Sequence, residues 1–310
     1  MLSIVIPAYN RGELLREALK SLEIQTMKRF IVCVVDDCST EDLHSIIKEF
    51  DDKLNIKYIR LQENRGPAKA RQTGLDWCIE NNIELVMFMD SDDMLMPNAV
   101  DRLTYEIQHT CSDIVSSKIL AESSQGFTNS IQEANATWLH GKIYRVNFLK
   151  NRGIIFPPMM TNEDLGFNIL ALGVTEKKRA LDEVLYFWRD AAGSITRTGE
   201  VANKIAADYI RAVSWAAEQL RLRGEERKIP VTIYYAIYNY YQQLLYHDAV
   251  PEDVEKIVKR MVTYGGNKGF YGYSKYKENM EVIKTGCLGK ATVLLFKESF
   301  GCWLERFMRM

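Results

Sequence analysis

Apolar runs of strand length alternate with helix-period stretches through the first ~115 residues, regularly enough to predict an order of elements. Residues 2–6, 30–35, 56–61 and 85–89 read as strands, with a short fifth at 113–115. Between them, 13–22, 42–50, 67–79 and 97–108 carry apolar residues at helical spacing. Strands buried on both sides and joined by helical crossovers specify an α/β fold: a mainly parallel, Rossmann-type sheet with helices on both faces and right-handed connections. Farther on, 165–172, 202–221, 231–246 and 252–262 read as helices, followed by the connector GGNKGFYGYSKYK and an amphipathic segment at 284–310.

Ligands of such sheets gather at the carboxyl ends of the strands. The polar clusters of this chain fall there: PAYNR after the first strand, DDCST after the second, ENRGPAKAR after the third and DSDD after the fourth. Asp90, Asp92 and Asp93 place three carboxylates at the end of a buried strand, where they repel one another and lose hydration. A cation or hydrogen-bond donors must balance them, and hard divalent ions such as Mn2+ or Mg2+ take oxygen ligands of this kind. One acidic residue would suffice to cap the helix that starts near Pro97. In the second cluster Ser39 or Thr40 is placed to cap a helix, which leaves Asp36 and Asp37 to accept from a ribose hydroxyl or a base N–H. Pro67 opens the next helix, and Lys69 and Arg71 put two cations near its positive end, a placement that calls for anions close by.

Composition narrows the class. With 310 residues, 47% apolar and 26% charged, the chain has room for one large domain or two unequal ones. A net charge of −1 gives no reason to expect nucleic acid. Six cysteines without CxxC spacing fit a reducing compartment. Four histidines, none at metal-ligand spacing, set His140 aside as a metal ligand. No basic leader and no apolar run of 18 residues occur, so a cytoplasmic location is expected.

IVIPAYNRGELLREALKSL, VVDDCST, NRGPAKARQTGL and FMDSDD, in this order and spacing, resemble the donor-binding half of the family-2 glycosyltransferases of GT-A fold. A looser resemblance continues through WLHGKIYRVNFLK, TNEDLGFNILALG and LYFWRDAAGSITR, which are similar to acceptor-side segments of bacterial surface-glycan transferases. It implies a transferase domain over 1–198, with nucleotide-sugar binding in 1–116 and the acceptor side in 117–198; the resemblance does not extend to 199–310, which the helical spacing alone marks as a helical region. It also implies a nucleotide-sugar donor, most often UDP-linked, held with Mn2+ or Mg2+. Carried over by position, Pro7, Ala8 and Tyr9 line the base pocket, Asp37 or its neighbour Asp36 meets the uracil or ribose, and Arg71 and Lys69 approach the nucleotide. Asp90 and Ser91 then lie on the ribose side, and Asp92, with Asp93 beside it, holds the metal. The family's usual asparagine after the arginine is Gln72 here.

A sugar leaving a diphosphate also requires a base on its opposite face to deprotonate the acceptor hydroxyl. Glu163 and Asp164 are the candidates, the resemblance favours the second, and Asn162 is placed to cap the helix they begin. In-line displacement then inverts the anomeric centre. Trp138, His140 and Lys142 form a polar-aromatic cluster fit to line a sugar, and Arg189, Ser194 and Arg197 sit in a small-residue loop fit to fold over the diphosphate. The QxxRW pattern of processive synthases is absent, which favours addition of a single sugar to a glycan or lipid-linked glycan. Segment 284–310 has five basic against two acidic residues, a net +3, which suits the inner membrane surface, a homodimer partner or the protein's own body. The non-enzymatic alternative is a glycan-binding pseudo-transferase. A dinucleotide-dependent oxidoreductase would need a glycine-rich turn where PAYNRG stands.

Overall fold

A computed structural model describes residues 1–123, 126–128, 138–189 and 202–225. The elements, in chain order, are β1 (Leu2–Ala8), α1 (Gly12–Glu23), β2 (Phe30–Asp36), α2 (Leu43–Lys48), β3 (Ile56–Arg60), α3 (Gly66–Glu80), β4 (Leu85–Phe88) and β5 (Met94–Leu95). They continue with α4 (Ala99–His109), β6 (Ile114–Ser123), β7 (Gly126–Thr128), β8 (Lys142–Arg145), α5 (Val146–Asn151), α6 (Glu163–Gly173), β9 (Lys178–Trp188) and α7 (Ala202–Leu222). Among the described residues the strands form one sheet in the order β3-β2-β1-β4-β8-β6-β9-β5, with β7 paired to β6.

The first four strands are parallel, as their uninterrupted apolar runs require, and β1 lies between β2 and β4. Leu2, Ile4 and Ile6 face one layer with Leu15, Leu19 and Leu22 of α1, while Val5 faces the other with Ala70 and Leu75 of α3. Gly74 lets α3 lie directly on β1: a Cβ there would sit 2.3 Å from Val5 Cγ1. Cys33 and Cys78 fill the core as small hydrophobes, with burial pushing their thiols up to about 12 and about 11.

Antiparallel strands then fold the chain back over the carboxyl edge. β8 pairs with β4 with Met87 opposite Ile143, and continuing that register sets His140 beside Asp90. β9 pairs with β5 with Met94 opposite Phe187, which returns Trp188 and Arg189 to the same edge. β6 is longer than the short strand expected at 113–115, because β8 and β9 pair along both its sides. Neither Ser39 nor Thr40 caps α2: Asp42 does, accepting from the Ser45 N–H at 3.2 Å. Asn162 precedes α6 in the left-handed region at φ 59° and makes no side-chain cap, so the helix begins at Glu163. The helices expected over 231–246 and 252–262, and the segment 284–310, lie outside the described residues. Among the described residues no helix is long and apolar enough to cross a membrane.

Candidate active site

Four loops meet at the carboxyl edge of β1, β2 and β4. Asn10, at φ 49°, ties the first to the second: its N–H donates to Ser39 Oγ at 3.0 Å and its Oδ1 accepts from the Thr40 N–H at 2.7 Å. Pro7 is half-buried, Ala8 is buried, and Tyr9 exposes its ring beside them. Asp36 is sealed, accepting from the Ser39 N–H at 2.8 Å, Tyr58 Oη at 2.7 Å and Arg60 Nη1 at 2.6 Å. Asp37 accepts from the N–H groups of Arg65 and Gly66, at 2.8 and 2.7 Å, and so holds the start of α3. Of the two aspartates, Asp37 lies nearer the edge with acceptor capacity left over. Lys69 is exposed on α3. Gln72, in place of an asparagine, accepts the Phe156 N–H at 2.8 Å and braces the loop before α6.

The carboxylate cluster is more tightly bound into the protein than the sequence suggested. Asp90 has one oxygen paired with Arg71 and the other 3.3 Å from His140 Nε2. Burial pushes its carboxyl upward, but Arg71 and His140 outweigh it and hold the group well below the usual carboxylate range. Asp93, buried, accepts from Tyr186 Oη at 2.5 Å and the Arg189 N–H at 3.0 Å, and burial raises it to about 7. Asp92 is less enclosed and pairs with Arg11; burial, then the charge of Asp90, raises it. Ser91 between them is buried. Burial works against a charge on His140, yet Asp90 and Asp93 prevail and its pKa is raised.

Opposite this cluster, Glu163 and Asp164 open α6. Arg71, expected beside the nucleotide, is buried with its guanidinium between Asp90 and Glu163. Burial, then the adjacent Asp164, raises Glu163 to about 7, with Arg71 opposing. Asp164 is raised chiefly by burial, and its Oδ1 accepts the Leu165 N–H at 2.8 Å. Asn168 steadies this turn: its Nδ2 donates to the Asp164 carbonyl at 3.0 Å, and its Oδ1 accepts from Tyr144 Oη at 2.7 Å. Lys142, also buried, donates to the Trp138 carbonyl, and burial lowers it to about 7. His140 stacks on Tyr186 and Trp188 with centroids 5.0 and 5.9 Å away, and Trp138 lies 5.2 Å from Trp188.

Ligand atoms of Asp90, Asp93 and His140 lie within 4.8 Å of one another, a carboxylate and imidazole donor set that fits a divalent ion such as Mn2+. His140, set aside from its spacing, thus reaches the cluster through strand register. Tyr186 and Arg11 were not singled out either; Tyr186 had no signal beyond an aromatic strand, and Arg11 only its place after the first strand. Arg189 comes to the cluster through its backbone, and its side chain pairs with Glu17 of α1 at 2.5 Å. Ser194 and Arg197 lie outside the described residues.

The family model for glycosyl transferase family 2 matches residues 3–162. The chain belongs to that family. Among curated relatives, poly(ribitol-phosphate) beta-N-acetylglucosaminyltransferase TarS of Staphylococcus aureus (strain MW2) is 30% identical over 202 residues, 60% of this chain. The chain spans only 35% of the length of TarS. The GalNAc(5)-diNAcBac-PP-undecaprenol beta-1,3-glucosyltransferase of Campylobacter jejuni is 36% identical over 104 residues, 33% of each chain. The crystal structure of S. aureus TarS 1–349 with UDP matches with a TM-score of 0.55 and 26% identity over 84% of both chains. A Pyrobaculum calidifontis mannosyltransferase, solved with GDP-Man and Mn2+, shares the fold at TM-score 0.52 and 16% identity, covering 95% of this chain and 85% of its own.

Proposed function

We propose that this member of the family transfers one sugar, with inversion, from a UDP-linked donor to a hydroxyl of a glycan or lipid-linked glycan acceptor, and that it depends on a divalent cation. The observation that carries the reading is the meeting of two carboxylate sets at one edge of the sheet, Asp90, Asp92 and Asp93 in the loop after β4 and Glu163 and Asp164 at the start of α6, joined where Arg71 pairs with both Asp90 and Glu163. The S. aureus TarS structures with UDP and UDP-GlcNAc support uridine as the donor base, and the named acceptor of the C. jejuni relative, an undecaprenol-linked glycan, supports the acceptor class.

In this reading the base rests on Tyr9 beside Pro7 and Ala8, and Asp37 accepts from the uracil or ribose. Asp92, with Asp93 or His140 alongside, would hold Mn2+ or Mg2+, which offsets charge on the departing diphosphate. Asp164 takes the proton of the acceptor hydroxyl as that oxygen bonds to the anomeric carbon and the bond to the diphosphate breaks; its raised pKa suits proton acceptance near neutral pH. We assign the transferase domain to 1–198 with α7 packed against it, and the remainder of 199–310, beyond α7, to docking on acceptor membrane, partner or the protein itself.

Incubating the protein with a panel of nucleotide sugars, with Mn2+ or with chelator, tests the proposal. Metal-dependent release of UDP from a UDP-sugar is expected. Tight glycan binding without any donor turnover would replace it with the pseudo-transferase reading.

A further inference from the structure

Asn168 of α6 and Tyr144 of β8 are fully buried, and the layer around the Tyr144 ring is apolar. That ring meets Phe88 and Phe167 with centroids 6.0 and 5.6 Å away, and Phe156 stacks on Phe167 at 4.1 Å. Such a layer would accept phenylalanine and leucine, and a buried hydroxyl and amide add little net stability over apolar groups of the same shape. Their polar atoms instead make one continuous line: Tyr144 Oη donates to Asn168 Oδ1 at 2.7 Å, and Asn168 Nδ2 donates to the Asp164 carbonyl at 3.0 Å. The carbonyl can only accept, so the amide must turn its NH2 to Asp164 and its oxygen to the hydroxyl. An α-helix already directs the N–H of residue 168 to that carbonyl. The side chain adds a second donor and ties the Asp164 peptide to β8. Just before β8, His140 Nε2 lies 3.3 Å from Asp90 Oδ2. The short stretch 140–144 thus touches both carboxylate sets, Asp90 through His140 and Asp164 through Tyr144 and Asn168.

We propose that Tyr144 and Asn168 are positioning residues: through them β8 sets where α6 begins, and so holds Asp164 at a fixed separation from the carboxylates that follow β4. The role given to Asp164 rests on the transfer reading above. β8 is suited to this because its ladder with β4, Met87 opposite Ile143, cannot slip without turning every side chain to the other face. A helix held by apolar packing alone can shift by a fraction of an ångström with little loss of buried area, whereas a hydrogen bond weakens steeply with angle. A base must come within ~2.6–3.2 Å of the hydroxyl it deprotonates, so such a shift lowers the rate before it harms the fold.

The test compares wild type, Tyr144→Phe and the double variant Tyr144→Phe/Asn168→Leu, in which no polar atom of the pair is left buried and unpaired. UDP affinity with Mn2+ by calorimetry, donor KM and kcat, urea unfolding and amide hydrogen exchange are measured. The double variant should unfold at or above the wild-type urea midpoint, because apolar groups of matching shape replace both partners. Its UDP affinity and donor KM should stay within about threefold of wild type while kcat falls about tenfold or more, the pattern of lost transition-state geometry. Amide exchange over 163–168 should quicken, with that of β1, β2 and β4 unchanged. A wild-type kcat in the double variant, a kcat that falls only with the folded fraction, or a UDP affinity that falls in step with kcat would each overturn the proposal. Should the double variant not fold, Tyr144→Phe decides by the same kcat and UDP readings well below its melting temperature. If wild type transfers no sugar, the transfer reading alone has failed; exchange then still decides whether the pair sets the start of α6, and unchanged exchange there refutes it.

Discussion

Asp90 and Asp93 each have both carboxylate oxygens engaged by the protein, whereas Asp92 stands farther out with Arg11 on one oxygen. That division predicts different outcomes from the same chemical change. Asp92→Asn should weaken Mn2+ binding, read by calorimetry, and cripple turnover with melting unchanged. Asp93→Asn puts an amide where Tyr186 Oη and the Arg189 N–H both donate, and should cost about 1–3 kcal/mol of stability by urea unfolding. On the opposite wall, Asp164→Asn should slow transfer roughly 10²–10⁴-fold with UDP affinity nearly constant, and Glu163→Gln should be milder. A dead Glu163→Gln beside an active Asp164→Asn would exchange the two roles. Because only ionised Asp164 accepts a proton, and burial raises its pKa, kcat should fall as pH drops through a value above the ordinary aspartate range of about 3.9. An acid limb at the ordinary value would contradict a shielded base. The aspartates were legible because crowding carboxylates at a strand end is costly and demands a reason. Their protein partners were not, since Tyr186, Arg189 and His140 arrive from strands whose pairing leaves no local trace.

At the scale of elements, the hydrophobic period located strands and helices, and turn chemistry was where it failed. Asp36 and Asp37 read as ligand-binding residues, yet Asp36 spends its acceptors on Ser39, Tyr58 and Arg60, and Asp37 holds the first N–H groups at the entrance of α3. Asp37→Ala should therefore destabilise the fold by about 0.5–2 kcal/mol even without nucleotide, as loss of a helix cap does. Equal melting of the variant and wild type would show that Asp37 serves the ligand alone. The placement of His140 follows from the β4–β8 register, in which each step along one strand is a step back along the other. A sequence reading that had found the antiparallel pairing of KIYR with LVMF would have found His140. Lys142, by contrast, sits in that strand with its amine buried, which an apolar-pattern reading takes for an exposed position.

For the molecule as a whole, the question is how far the catalytic body extends. A boundary was expected at 198/199, and 190–201 lies outside the described residues. Beyond it, Ala212, Val213, Ala216, Ala217 and Leu220 of α7 are buried in the same apolar cluster as Phe88 of β4 and Phe167 of α6. The small residues let α7 approach closely: a Cβ on Gly173 would lie 2.7 Å from Leu220 Cδ2, and one on Gly166 3.4 Å from the Ala212 carbonyl. The sequence showed a helix at 202–221 but not which neighbour its apolar face would choose, because periodicity states that a face is buried and not against what. Since α6 carries Asp164 at its start, α7 clamps the helix on which the proposed base depends. Leu220→Ala should cost about 2–5 kcal/mol, as an emptied core site does. If α7 belongs to the catalytic body, that loss should appear as a single unfolding transition in which the core and α7 melt together. Transfer below the melting temperature should fall through kcat, because the start of α6 loses its support while the donor loops of β1, β2 and β4 keep theirs. Separate transitions, or a Leu220→Ala protein with wild-type stability and kcat, would place α7 outside the catalytic body.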